Sequence, residues 1–226
     1  MIQRAFAFSP AVMAQRSEPA DSLDFFPTPP WATRAFVHHV ALPILGVNTA
    51  SLIVEPACGE GHMAEPLKET FPFVAASDIH PYGYGDVADF LAWELHQYQN
   101  VADWAFTNPP FNLAVAFARQ ALRMAHRGVA LLVRTQWLHT IERYELFREF
   151  PPFVIAYYVE RVPMHRGRWE PDGDTATDYC WVCWKHGAEP RAPIWIPPGR
   201  RTVFTFASDA ARFAKPAPAP LLDPGA

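Results

Sequence analysis

The chain has 226 residues, half of them hydrophobic, and a formal net charge of −4. That length supports one well-buried domain with room for a small insertion. The mild acidity and the lack of a long basic run argue against a partner held by bulk electrostatics alone; only residues 161–201 lean basic, with seven Lys or Arg against five Asp or Glu.

Residues 1–22 read as a flexible N-terminal arm without the order of a signal peptide. A single domain is expected over 23–206, and the Pro/Ala-rich end, 207–226, as a disordered tail. "WATRAFVHHVALPIL" predicts a helix that breaks or ends near Pro43. "SLIVE" predicts a short buried strand, and "VEPACGEGH" follows it. There Glu55 ends the strand, Pro56 and Ala57 make the turn, and Gly59 and Gly61 permit close backbone approach. The spacing is neither the dinucleotide G-x-G-x-x-G nor a P-loop, and no Lys is present to hold a phosphate. An acidic residue before a glycine loop repels phosphate and suits a cationic ligand.

"HMAEPLKETF" predicts a helix with Pro66 near its start, and "FVAASD" the second strand, ending at Asp78. A carboxylate at that sheet position can accept hydrogen bonds from ribose hydroxyls. In "GDVADFL", Asp89 can accept from an adenine amino group while Phe90 packs on the base. Ribose, adenine and a positive charge coincide in S-adenosyl-L-methionine. Read one at a time, the Gly-x-Gly is an ordinary turn, Asp78 a helix cap and Asp89 a loop charge; their order along the chain favours the joint reading. His62 either touches this ligand or is a solvated residue at a helix start, and Cys58 is a small packed side chain among acidic neighbours.

"WAFT" predicts the next strand, stopped by "NPPF", because proline donates no ladder hydrogen bond. "NLAVAFARQALRMAHRG" predicts a helix with Gly128 as its C-cap, and "VALLVR" a strong strand. "ERYELFREF" predicts a helix, and "FVIAYYVERV" and "DYCWVCWK" late strands. Cys180 and Cys183, three apart on a strand, face opposite sides, so no metal site is expected. Three cysteines fit a reducing compartment and a cytoplasmic protein, and no apolar run reaches the roughly 18 residues of a membrane span. The alternation of strands and helices argues for an α/β fold with a parallel sheet covered on both faces, and an antiparallel strand at its end.

At "TNPPF" the chain resembles the class I S-adenosylmethionine-dependent amino-methyltransferases, in particular the DNA adenine-N6 group, whose [DNS]-PP-[YFW] motif follows the fourth strand. "DFFPTPPWATRAF" is similar to the F-x-P-T-P-P stretch that precedes the first strand in bacterial and phage members. The resemblance spans Asp24 to Lys185. It implies a Rossmann-like, doubly wound, mostly parallel seven-stranded sheet, with Thr28 and Pro29 against the methionine part of the cofactor. It also assigns the chemistry. Asn108 accepts one N–H of the target amine through its side-chain oxygen, and Pro109 another through its carbonyl. Two such acceptors favour a pyramidal nitrogen aimed at the methyl group. Phe111 stacks on the base, and the Pro109–Pro110 pair restrains the acceptors.

Arg166, Arg168 and Trp169, with His165, lie in a loop that can contact backbone and stack a base, or that is a solvated hairpin; Arg191, Arg200 and Arg201 extend the same surface. Trp137 and His139 have no spacing that demands catalysis. No separate recognition domain is evident, which predicts loose sequence specificity. The expected partner is nucleic acid, DNA before RNA. The competing readings are methylation of RNA adenine or of a protein glutamine amide, and a cofactor-binding partner without catalysis.

Overall fold

A computed structural model describes residues 24–94 and 101–213. The expected arm, 1–22, and residues 214–226 of the expected tail lie outside the described residues.

Helix α1, Pro30–Phe36, starts with proline at its first position, where a missing N–H costs nothing. It continues as a π-wound stretch, Val37–Leu45, that contains Pro43 and ends at Gly46, whose φ of 68° is the left-handed conformation of a helix stop. The expected break near Pro43 therefore falls three residues later. Strand β1 is Leu52–Glu55, helix α2 Ala64–Lys68, strand β2 Phe73–Asp78 and strand β3 Asp86–Val87. Strand β4, Ala102–Thr107, leads through a short 3-10 turn to helix α3, Ala114–Met124. Strand β5 is Ala125–Arg134, helix α4 Ile141–Glu149, and strands β6, β7 and β8 are Val154–Tyr158, Tyr179–Lys185 and Ile194–Ile196. Helices α5, Arg200–Phe204, and α6, Ala207–Phe213, close the described chain.

The sheet runs β3-β2-β1-β4-β5-β7-β6-β8. Strands β1 to β5 pair in parallel, β7 is antiparallel to both β5 and β6, and β8 is parallel to β6. The expected fold is present with eight strands rather than seven. The two-residue β3 and three-residue β8 are too short to show a period in sequence.

Each face of the sheet carries its own apolar layer. Trp31, Phe36, Phe106 and Trp181 build one; Phe90, Phe117, Leu131 and Trp184 build the other. Phe36 stacks on Trp181 with ring centroids 3.9 Å apart, worth about 0.5–1.5 kcal/mol beyond the area buried. The alternation along β7 puts Cys183 in the first layer and Cys180 in the second.

Two expectations are corrected. Gly128 is not a helix cap: the helix stops at Met124 and Gly128 lies inside β5. A Cβ there would meet the carbonyl oxygen of Trp184 at 2.2 Å and the Trp104 ring at 2.6 Å, so the glycine serves close packing. The disordered tail does not begin at 207, because Ala207–Phe213 is helical. Asp209 and Phe213 hold it to the domain: both are buried, and Asp209 takes two hydrogen bonds at 2.7 Å from Arg34.

Candidate active site

Strand β1 lies between β2 and β4, where the strand order reverses direction, and a crevice opens beyond the carboxyl ends of these strands. A cleft of about 410 Å³ occupies it, within the roughly 300–1,000 Å³ of ligand pockets. Among the sequence-predicted residues, Thr28, Glu55, Ala57, Asp78, Asn108 and Pro110 line it.

Glu55 is 1% exposed. Its Oε1 accepts from the Thr107 hydroxyl at 3.3 Å, and its Oε2 is sealed from solvent with no hydrogen bond among the described residues. Burial first, and the neighbouring Asp78 second, push its carboxyl well above the ordinary carboxylate range. The cleft thus holds an acid short of a positive partner. Asp78 ends β2 and ties the loops together, accepting from the Gly59 N–H at 2.9 Å and the His80 N–H at 3.0 Å. Each of its oxygens keeps a lone pair for a further donor.

The glycines are required by the protein's own rings. Gly59 has φ of 50° and a Cβ there would lie 2.4 Å from the Phe25 ring; Gly61 has φ of 86° and faces the Tyr84 ring. Pro56 is buried in the turn. Cys58 is buried, and burial, with Glu55 and Asp78 nearby, raises its thiol far above the reactive range. His62 is 2% exposed, packed between Phe25 and Phe213, so the solvated reading of it is wrong.

At the end of β4, Asn108 is held from three sides. Its Nδ2 donates to the Phe26 carbonyl at 2.9 Å, the Thr28 hydroxyl at 3.2 Å and the Met164 sulfur at 3.6 Å. A carbonyl can only accept, so the amide nitrogen must face Phe26 and the oxygen must face away. That oxygen is buried and accepts no hydrogen bond among the described residues. Pro109 is buried beside it, and the carbonyl of Pro110 is taken by the Leu113 N–H at 2.9 Å. The Phe111 N–H donates to Asp24 at 2.6 Å, and its ring packs at 5.2 Å from Phe26.

Other predicted residues lie elsewhere. Pro29 precedes α1 and its carbonyl accepts from Ala32, outside the cleft lining. Phe90 is 1% exposed in the core against Phe117, so it offers no face to a base, and the Asp89 carboxylate caps its own turn through the Leu91 N–H at 2.9 Å. Trp169 is 2% exposed and cannot stack on a nucleotide. Arg168 is paired with Glu170, and Arg166 is exposed. This loop folds back onto the N-terminal stretch, where the Gly167 N–H donates to the Phe25 carbonyl at 2.8 Å. Arg201 pins it further through the carbonyls of Pro171 and Gly173.

Sequence reasoning missed Asp24, Phe25 and Tyr82, which line the cleft, and Arg134, whose guanidinium lies 3.9 Å above the Phe111 ring. Asp24 and Phe25 belong to the quoted "DFFPTPP"; Arg134, at the end of a strong strand, carried no local signal. Among the described residues no group of His, Cys, Asp and Glu is arranged to hold a metal ion, and no helix is long and apolar enough to cross a membrane.

No family model and no curated protein matches the sequence. Solved structures do. The modification subunit of a candidate type I restriction enzyme from Vibrio vulnificus superposes with a TM-score of 0.55 at 16% identity, over 83% of this chain and 51% of that one. A candidate class I S-adenosylmethionine-dependent methyltransferase from Listeria monocytogenes gives 0.50 at 12%, over 80% and 68%. A candidate RNA methyltransferase from Pyrococcus horikoshii gives 0.57 at 11%, over 75% and 90%. The chain spans about half the length of the restriction-enzyme subunit. The fold is the Rossmann-like fold of these methyltransferases.

Proposed function

We propose that this chain transfers a methyl group from S-adenosyl-L-methionine to the exocyclic N6 amine of adenine in DNA, on a flipped-out or single-stranded base. The observation that carries the reading is the buried Oδ1 of Asn108, without a partner among the described residues, whose amide nitrogen is committed to the Phe26 carbonyl. A buried acceptor without a donor is costly, and an amine N–H that enters the cleft relieves it.

The cofactor fits the residues present. Glu55, buried with one carboxyl oxygen unpartnered among the described residues, suits a cationic ligand, and Asp78 at the end of β2 suits ribose hydroxyls. S-adenosyl-L-methionine bound there would supply a sulfonium methyl for transfer to the amine nitrogen, with the S–CH₃ electron pair left on sulfur. Asn108 Oδ1 accepts one N–H of the amine and the Pro109 carbonyl a second, which draws the nitrogen lone pair out of conjugation. Both acceptors are fixed in advance, Asn108 by its side-chain hydrogen bonds and the Pro109 carbonyl by the Pro110 that follows it, so little reorganisation accompanies reaction. The proton left on nitrogen after transfer passes to water. The likeness in fold to the modification subunit of a restriction enzyme supports DNA as the substrate class.

The test is to incubate the chain with tritiated cofactor and, in parallel, duplex DNA, single-stranded DNA, RNA and a protein extract. Label on N6 of deoxyadenosine is expected. Label confined to protein, or to RNA, overturns the substrate; no label anywhere favours a cofactor-binding partner.

A further inference from the structure

We propose that Arg134 reads the ring nitrogen beside the target amine, and so selects a base in which an amine neighbours a hydrogen-bond acceptor. This rests on the assignment of Asn108 to a nucleobase amine.

Arg134 is the last residue of β5, the strand next to β4, which runs directly into Asn108. Its guanidinium carbon lies 3.9 Å above the centre of the Phe111 ring and 5.4 Å from that of Phe26. It therefore stands on the aromatic face that a flipped base needs. Its cross-strand neighbour on β7 is Tyr179, which flanks it from the side. Its Nε, however, is buried and makes no hydrogen bond among the described residues.

The Phe111 corner thus carries two buried polar atoms of opposite kind, neither with a partner among the described residues. Asn108 Oδ1 is an acceptor; Arg134 Nε is a donor, and a guanidinium cannot lose its proton to become anything else. The edge of adenine has the complementary pair, an amine that donates and a ring nitrogen on either side, N1 or N7, that accepts. A base that takes over the Phe111 face displaces a cation from an aromatic ring and presents that cation with an acceptor. The planar guanidinium is a good holder of the site in the meantime, because it stacks on an aromatic ring as a base does. A site whose buried donor is left unpaired by the wrong ligand rejects it strongly.

The experiment uses three single-stranded oligonucleotides that differ at one base: adenine, 1-deazaadenine or 7-deazaadenine. Wild type, Arg134→Met and Arg134→Lys are compared by kcat/KM, with cofactor affinity measured for each as a check of folding. Wild type is expected to lose roughly 10- to 100-fold on one of the two deaza bases. Arg134→Met should lose a similar factor on adenine, lose nothing further on that same deaza base, and keep wild-type cofactor affinity. Arg134→Lys, which keeps the charge without the Nε–H, should not restore the loss. An Arg134→Met penalty equal on all three bases makes the residue a structural peg and overturns this assignment alone. A wild-type chain that binds cofactor but methylates none of the three overturns the Asn108 reading and this one with it.

Discussion

The side-chain amide of Asn108 donates to the main-chain carbonyl of Phe26, 82 residues earlier, at 2.9 Å. The contact fixes which end of the amide is committed to the protein and which is left to accept from a ligand. Asn108→Ala should lower turnover by roughly 10²- to 10³-fold, the scale for loss of one preorganised hydrogen-bonding group, while cofactor affinity stays within about threefold, the scale of minor packing changes. Initial rates and calorimetric titration separate the two. Equal loss of cofactor binding would remove Asn108 from the chemistry.

Glu55 predicts a pH dependence with a definite sign. An unfolded Glu ionises near pH ~4.3, whereas burial holds the native carboxyl well above that value. Between the two, the native state binds more protons than the unfolded state, so stability falls as pH rises through the window. Glu55→Gln should abolish that fall, seen as a melting temperature less sensitive to pH than that of wild type. A cationic cofactor that ionises Glu55 on binding releases a proton, so affinity should rise with pH over the same window. Titrations in two buffers of different ionisation enthalpy measure that proton; none released means that Glu55 does not meet the positive charge.

Arg34 predicts the strongest point of failure in the scaffold. It bridges Glu69 and the buried Asp209, each through two hydrogen bonds at 2.7 Å, with its side chain only 8% exposed. Asp209→Ala leaves a buried cation short of a partner and should cost about 3–5 kcal/mol, a fall of roughly 6–20 °C in melting temperature. The double change Arg34→Met with Asp209→Leu should recover much of it. A single-variant loss under about 1 kcal/mol would show that the C-terminal helix is only loosely docked.

Gly128→Ala should destabilise by about 1–3 kcal/mol or more, as overpacking does, because the added carbon has the Trp184 carbonyl and Trp104 ring in its path. Chemical denaturation measures it. A neutral outcome would mean that β5 and β7 can separate locally at no cost.

Elements with a strong local pattern were legible in the sequence. "SLIVE", "FVAASD" and "VALLVR" showed strand runs, and the turns at Glu55, Asp78 and Asn108 showed where strands end. The opposite facing of Cys180 and Cys183 followed from the period of a strand alone. What the sequence did not show depends on contacts between distant residues. Gly128 has the local look of a helix stop, and only the neighbouring strand reveals why it is glycine. Phe90 and Trp169 look like base-stacking rings until the core that swallows them is seen. Arg134 meets Phe111 across two strands, which no local spacing records.

The burial of all three cysteines has a practical consequence. Cys58, Cys180 and Cys183 are each enclosed, and desolvation holds the Cys180 thiol up at about 12. The wild-type chain is therefore a nearly silent background for maleimide chemistry. One cysteine introduced at exposed Asn112, on the cleft rim, would carry a fluorophore without first stripping the native sulfhydryls. Its emission would then report occupancy of the crevice in real time, independently of turnover.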